Sequence, residues 1–176
     1  MMPMDTYPMA GMILKNGDFG SFMVRNIAEL EGKSGVRLEM VQKIFLAETG
    51  TVEQLMSILT GSNVRVRVVK QKENATTITR QSIIVNDSGK VLIRAYSKVC
   101  KRNLPSKIVN QIKQQQWGIG TIISSSHLET FRKIIEVGYD PASRSVFRKY
   151  HIFYRKKIAF EIREELVWIE SGPSGI

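Results

Sequence analysis

The chain is poor in the residues that build metal centres, disulfide scaffolds and membrane spans. It has one cysteine, Cys100, and two histidines, His127 and His151. A single cysteine forms no internal disulfide, and no Cys or His stands beside it at metal-ligand spacing. No apolar run approaches the roughly 20 residues needed to cross a bilayer. The opening MMPMDTYPMAGMILKNG lacks a basic stretch feeding an apolar core, so no secretory signal is read in it and a cytoplasmic location is expected. Aromatics are sparse at 8%, with two Trp and five Tyr, and no zinc, KH or RNP pattern occurs. This argues against a nucleic-acid module, which interleaves stacking rings with its basic residues.

What is present is a hydrophobic content of 43% and a charged content of 24%, ordinary for a globular chain, with a net charge of +10 over 176 residues. The positive charge favours small or large anionic partners by long-range attraction. It is spread along the chain, from Arg65 and Arg67 to Arg155-Lys156-Lys157, as a solvated basic surface would be. The length suits one domain. We read residues 1–37 as an N-terminal arm or short helical extension, 38–170 as the domain and 171–176 as a flexible tail.

Local pattern gives an order of elements. Residues 1–20, rich in Met, Pro and Gly, read as an arm with little structure of their own. A short helix from Phe22 to Leu30 ends at Gly32. Leu38, Val41, Ile44 and Phe45 have helical spacing. Thr51-Val52-Glu53-Gln54 has capping-box form, and Val52, Leu55, Met56 and Leu59 make an inward stripe that stops at Gly61. Val64 to Val69 then alternates strictly, with arginines on the wet face. Ile78–Val85 and Val91–Val99 read as strands around the turn signal Asn86-Asp87-Ser88-Gly89. A helix opens at Leu104-Pro105-Ser106 and runs to about Gln116. Ser126-His127-Leu128-Glu129 reads as a second capping box, starting a helix with Leu128, Phe131, Ile134 and Ile135 on one side. Val146–Tyr154 and Ile158–Trp168 form a hairpin. The class is α+β, with a mainly antiparallel sheet and flanking helices.

Three places carry candidate chemistry. Gly118-Ile119-Gly120 allows a sharp turn that bares the Ile119 N–H to an oxyanion. It lacks a third glycine and does not open a helix in this reading, so it is no dinucleotide fingerprint. Arg80 lies in a strand whose two faces, Ile78/Arg80/Ser82/Ile84 and Thr79/Gln81/Ile83/Val85, are both partly apolar; alternation leaves it either on the wet face or inward, where it needs an anion. Glu164 sits in Ile158, Phe160, Ile162, Glu164, Leu166, Trp168, a set apolar but for the glutamate, and so points inward. Such a carboxylate needs a partner, for which Arg80 or Arg132 would serve, or acts at a site. A slip of one residue would put Glu165 there instead. Arg132 itself reads as a helix-surface charge paired with Glu129 or Glu136. Neither histidine has neighbours that make a triad or a metal site.

In order and form these segments resemble the chorismate lyase family and its relatives. The resemblance runs over residues 38–168, through the Leu46–Leu55 helix entry, the VRVRVV strand, the Ile78-Thr79-Arg80-Gln81-Ser82 strand, the Ser97–Pro105 segment, Ile119-Gly120 leading to Arg132–Gly138, and Ile162–Val167. It implies a chorismate lyase-like fold with a small enclosed anion pocket. Arg80 would hold a ring carboxylate together with main-chain N–H groups at Thr51 and Ile119, with Gly118 and Gly120 making room, and Glu164 would face the ether oxygen that is cleaved. The implied reaction takes chorismate to 4-hydroxybenzoate and pyruvate without metal or organic cofactor. The implied partner is a small anionic aromatic or cyclohexadienyl carboxylate; the composition gives no membrane span and argues against nucleic acid. The fold is shared with ligand-sensing domains of bacterial transcription regulators, so a non-catalytic binding domain is the alternative.

Overall fold

The computed structural model describes residues 11–167. Trp168, read as the end of the last strand, and the tail lie outside that range. Seven strands form one wholly antiparallel sheet: β1 (Gly11–Ile13), β2 (Val64–Glu73), β3 (Thr77–Asn86), β4 (Val91–Cys100), β5 (Phe131–Asp140), β6 (Ser145–Tyr154) and β7 (Lys157–Leu166). Their spatial order is β1-β5-β6-β7-β4-β3-β2. Five helices accompany them: α1 (Ser21–Ser34), α2 (Met40–Ala47), α3 (Val52–Thr60), α4 (Ser106–Lys113) and α5 (Ile119–Ser125). The class is α+β, as the pattern predicts, and no described helix is long and apolar enough to cross a membrane.

The β-branched, alternating segments found their partners with little ambiguity. In β2 the valines at 64, 66 and 68 are half-buried while Arg65 and Arg67 are exposed. β6 and β7 are joined by Arg155-Lys156, whose φ values of 46° and 63° are both positive. That is the requirement of a type I′ turn, whose twist matches the flanking strands, met here without glycine.

The N-terminal segment differs from the arm that its composition predicts. Gly11–Ile13 pairs with Glu136–Gly138 as an edge strand. The helix after it passes through Gly32 and ends at Gly35, which takes the left-handed φ of 68° and returns its N–H to the Glu31 carbonyl at 2.9 Å. Met23, Ile27 and Leu30 of α1 belong to the same buried cluster as the sheet. Phe45 and Leu46 of α2 and Met56 of α3 are fully enclosed, and truncating such a phenylalanine costs about 3–5 kcal/mol.

The largest departure is the helix expected from Ser126. The chain is already helical from Ile119, and Ser126 caps the end of α5, its N–H bonding to the Ile122 carbonyl. His127 follows at φ 49°, Leu128 N–H bonds back to the Ile123 carbonyl at 3.1 Å, and residues 131–140 are strand. A β-bulge between Ile134 and Glu136 explains the misreading. An extra residue in a strand turns period two into a spacing of three, so Ile134 and Val137 are both buried. That spacing mimics one turn of helix.

Candidate active site

The inward face of the sheet carries Ile78, Arg80, Ser82 and Ile84 of β3, all buried, whereas Gln81 is exposed. This decides which way Arg80 points. It stands opposite Ser97 of β4, which stands opposite Ile162 of β7; one pleat further on, Ala95 stands opposite Glu164, and Glu164 opposite Arg148 of β6. Arg80 and Glu164 therefore share a face, two strands and one pleat apart, about 12 Å between backbones at antiparallel sheet spacings. Helices α3 and α5 lie over this part of the sheet and close a cavity of about 40 Å³, walled by Arg80, Ser97, Arg132, Tyr150 and Glu164 from below and by Glu53, Gly118 and Gly120 from above. As it stands the space holds about three waters.

Arg80 is 3% exposed. Its Nη2 donates to the Trp117 carbonyl at 2.6 Å, but no acceptor among the described residues reaches Nε or Nη1. Burial pulls its pKa below the ordinary guanidinium value, with the charge of Glu53 working in the opposite direction. A guanidinium remains cationic at any physiological pH, so two buried donors of one cation stand ready for an anion.

Glu164 is the most tightly held group in the cavity. Arg148 donates to its Oε2 from Nε at 3.0 Å and Nη2 at 2.8 Å, and Tyr150 donates its hydroxyl to Oε1 at 2.8 Å. Arg148 spends its remaining nitrogen, Nη1, on the carbonyls of Phe45 at 2.7 Å and of Glu48, which ties α2 to the sheet. The Tyr150 hydroxyl is pushed well above its ordinary pKa by burial first and the Glu164 charge second. It stays a donor. Glu165 faces the other side of β7, where its Oε1 accepts from Ser145 at 2.6 Å and Ser143 at 3.2 Å.

Glu53 reaches into the same cavity from α3. Its carboxyl sits in the notch between Gly118 and Gly120: a Cβ on Gly118 would overlap Glu53 Oε1 and come within 2.7 Å of Val66 Cγ2, and a Cβ on Gly120 would stand 3.0 Å from Glu53 Oε2. Thr121 Oγ1 is 3.5 Å from Oε1. Burial raises the pKa of Glu53, and the charge of Glu164 adds to this against the Arg132 cation and the residue's own N–H.

No family model matches the chain. Over 140 residues it is 30% identical to a protein of Methanocaldococcus jannaschii named "Putative lyase MJ0807", covering 70% of this chain and 76% of that one. The chain belongs to that protein's family.

Arg80, Gly118, Ile119, Gly120 and Glu164 all line the one cavity. Thr51 does not; it lines an adjoining outer cleft that shares Gly120 and Arg132 with the inner space. The Thr51 side chain makes no capping bond, although its carbonyl receives the first helical N–H, from Leu55, at 3.2 Å. Gly118 is the N-cap of α5, so Gly-x-Gly does open a helix, contrary to the sequence reading. Arg132 is on a strand, not a helix surface: it lines the cavity, donates to the Thr49 carbonyl at 3.2 Å and lies 6.0 Å over the Tyr150 ring. The partner of Glu164 is neither Arg80 nor Arg132 but Arg148, which sequence reasoning passed over, as it did Tyr150. Alternation along β6, where Arg148, Tyr150 and Ile152 share a face, was the signal that could have found both. Glu53 had no such signal, since its place in a capping-box pattern gave it a local explanation.

Proposed function

We propose that the chain is a carbon–oxygen lyase of the chorismate lyase type, converting chorismate to 4-hydroxybenzoate and pyruvate. The observation that carries this reading is Arg80, a buried cation with two unused donors in a cavity that also holds Glu164. Its spare N–H groups suit an anionic oxygen. The name of the M. jannaschii relative as a lyase supports the reaction class. In the elimination a ring C–H proton is removed and the ether C–O bond breaks. The electron pair leaves on the enolpyruvate oxygen, and the ring becomes aromatic. The enol then takes up a proton and tautomerises to pyruvate. Atoms and electrons balance without an oxidant or a cofactor. Glu164, kept in place by Arg148 and Tyr150, is the proton-handling group, while Arg80 and Arg132 bind and orient the anion. A ring is larger than the present cavity, so α3, α5 or their side chains move aside to admit it.

Incubation with chorismate, followed by the absorbance of 4-hydroxybenzoate, tests this directly. Turnover by the wild type, with Glu164→Gln slowed about 100-fold or more while still binding 4-hydroxybenzoate, is the expected result. No product from the wild type, or full activity in Glu164→Gln, sinks it. One observation favours a second reading, a non-catalytic domain that binds aromatic carboxylates: both oxygens of Glu164 are already taken, as in a structural ion pair. Binding of 4-hydroxybenzoate without any turnover of chorismate is its signature.

A further inference from the structure

Among the described residues no cation makes a salt bridge to Glu53, yet it stands in a cavity that Arg80 and Arg132 line. The charged groups facing it come from three strands, Arg80 on β3, Arg132 on β5 and Glu164 on β7, and β6 adds the Tyr150 phenol, which keeps its proton. From α5 it meets only the neutral Thr121 hydroxyl and the two glycines. Neither histidine lines the cavity. The two carboxyls are held very differently. Glu164 is fixed by a guanidinium and a phenol, whereas Glu53 has its own backbone N–H, the long contact to Thr121 and a seat that exists because residues 118 and 120 lack side chains. With Arg148 neutralised by Glu164, an ionised Glu53 leaves the cavity one net positive charge, from Arg80 and Arg132 against Glu53. A protonated Glu53 leaves two.

We propose that Glu53 is the residue that sets the charge preference of the cavity, taking up a proton when an anion enters so that Arg80 and Arg132 are both free to face the ligand. The proposal rests on the reading of this cavity as an anion site and deepens it, since a pocket with two unopposed guanidiniums suits a ligand with two carboxylates. The physical reason is that an anion beside Arg80 places a second negative charge next to a carboxyl already shielded from water. Two like charges at that range in low dielectric cost more than protonating one of them. Glu53 is also the group that must yield space, because its carboxyl occupies the notch through which α3 and α5 meet. The burial and the Glu164 charge, which already favour the neutral form, act in the same direction.

Calorimetric titration with 4-hydroxybenzoate, in buffers of different ionisation enthalpy, measures proton uptake on the intact wild-type chain and needs no variant to fold. Up to one proton is expected per ligand bound. The affinity should fall, by at most tenfold per pH unit, as pH rises above the ordinary carboxylate range and before the ligand phenol ionises. Glu53→Gln should bind with little proton uptake, lose the pH dependence and hold the ligand more tightly than wild type at the alkaline end. Glu164→Gln should keep the proton uptake. Binding with no proton uptake, or uptake that survives in Glu53→Gln and vanishes in Glu164→Gln, overturns the proposal while leaving the anion site standing. An absence of binding by wild type and every variant removes the site reading and the proposal with it.

Discussion

Arg148 directs two of its nitrogens, Nε and Nη2, at a single oxygen of Glu164, at 3.0 and 2.8 Å, and both side chains are almost wholly buried. The pair sits at directly opposed positions of β6 and β7. Buried ion pairs of this kind are worth less than their geometry suggests while intact, because both charges have left water, and far more when one member is lost. Arg148→Met should therefore destabilise the chain by about 3–5 kcal/mol in urea unfolding. The loss includes the bonds to the Phe45 and Glu48 carbonyls. Combining it with Glu164→Gln should recover part of the loss, since the stranded charge is gone; a double variant as unstable as the sum of both singles would show that the two do not act as a pair.

Tyr150 supplies the other half of the support for Glu164. Tyr150→Phe leaves Oε1 without its donor, and hydrogen bonds to charged groups contribute about 1.5–3 kcal/mol, which is the expected loss in the same measurement. The phenol carries a pH signature as well. Its pKa is raised in the folded chain, so the folded state holds this proton after the unfolded chain has released it. Stability is then full below the ordinary tyrosine value and falls as pH rises beyond it. A spectrophotometric titration should show one tyrosine that ionises only as the chain unfolds in alkali, and Tyr150→Phe should remove that step.

Arg80 should behave in the opposite way. Two of its nitrogens are buried without an acceptor among the described residues, so Arg80→Met removes a poorly compensated charge and keeps much of the volume. The variant should unfold at an equal or higher urea concentration than wild type, despite losing the bond to Trp117. Its affinity for 4-hydroxybenzoate should fall by at least about 30-fold, the equivalent of one charge-assisted hydrogen bond of roughly 2 kcal/mol. A clear loss of stability would instead identify Arg80 as a structural charge.

Glu53 gives a stability profile of definite sign. Its folded pKa lies above the unfolded one, so the folded chain binds the extra proton. Its contribution is most favourable on the acid side and is lost as pH rises from the ordinary carboxylate range through the folded value. Thermal unfolding of Glu53→Gln should match wild type at acid pH and exceed it at neutral and alkaline pH. A difference that is constant with pH would mean that Glu53 carries its charge equally in both states.

Gly118→Ala tests the notch itself. The added methyl meets Val66 Cγ2 at 2.7 Å and overlaps the Glu53 carboxyl, and overpacking of this kind costs about 1–3 kcal/mol. Gly120→Ala, whose methyl meets nothing closer than 3.0 Å, should cost less. Equal losses would show that α5 shifts freely and that Glu53 is not confined there.

Strand chemistry was written plainly in the chain. Val64–Val69, Ile78–Val85, Val91–Val99 and the final hairpin alternate or are β-branched, and the structure pairs them all. Glu164 was legible as an inward residue because five apolar neighbours on its face left only one orientation. Arg80 was not, because both faces of its strand are mixed; the decision came from the helices, which cover one face and leave Gln81 of the other exposed. Residues 131–140 misled for a local reason, the bulge at Ile134/Glu136, which no pattern of period two or 3.6 anticipates.

The sequence by itself determined an α+β chain, its antiparallel strands, a net charge of +10 and a glutamate aimed at the core, because these follow from side-chain period and charge along one stretch of chain. Only the tertiary structure decided which charges meet. Arg148 reaches Glu164 through strand register, Arg80 faces inward through helix cover, and Glu53 enters the cavity because α3 lies against two glycines far along the chain. Each of these contacts depends on how separate segments pack, and burial then decides what the charged groups can do.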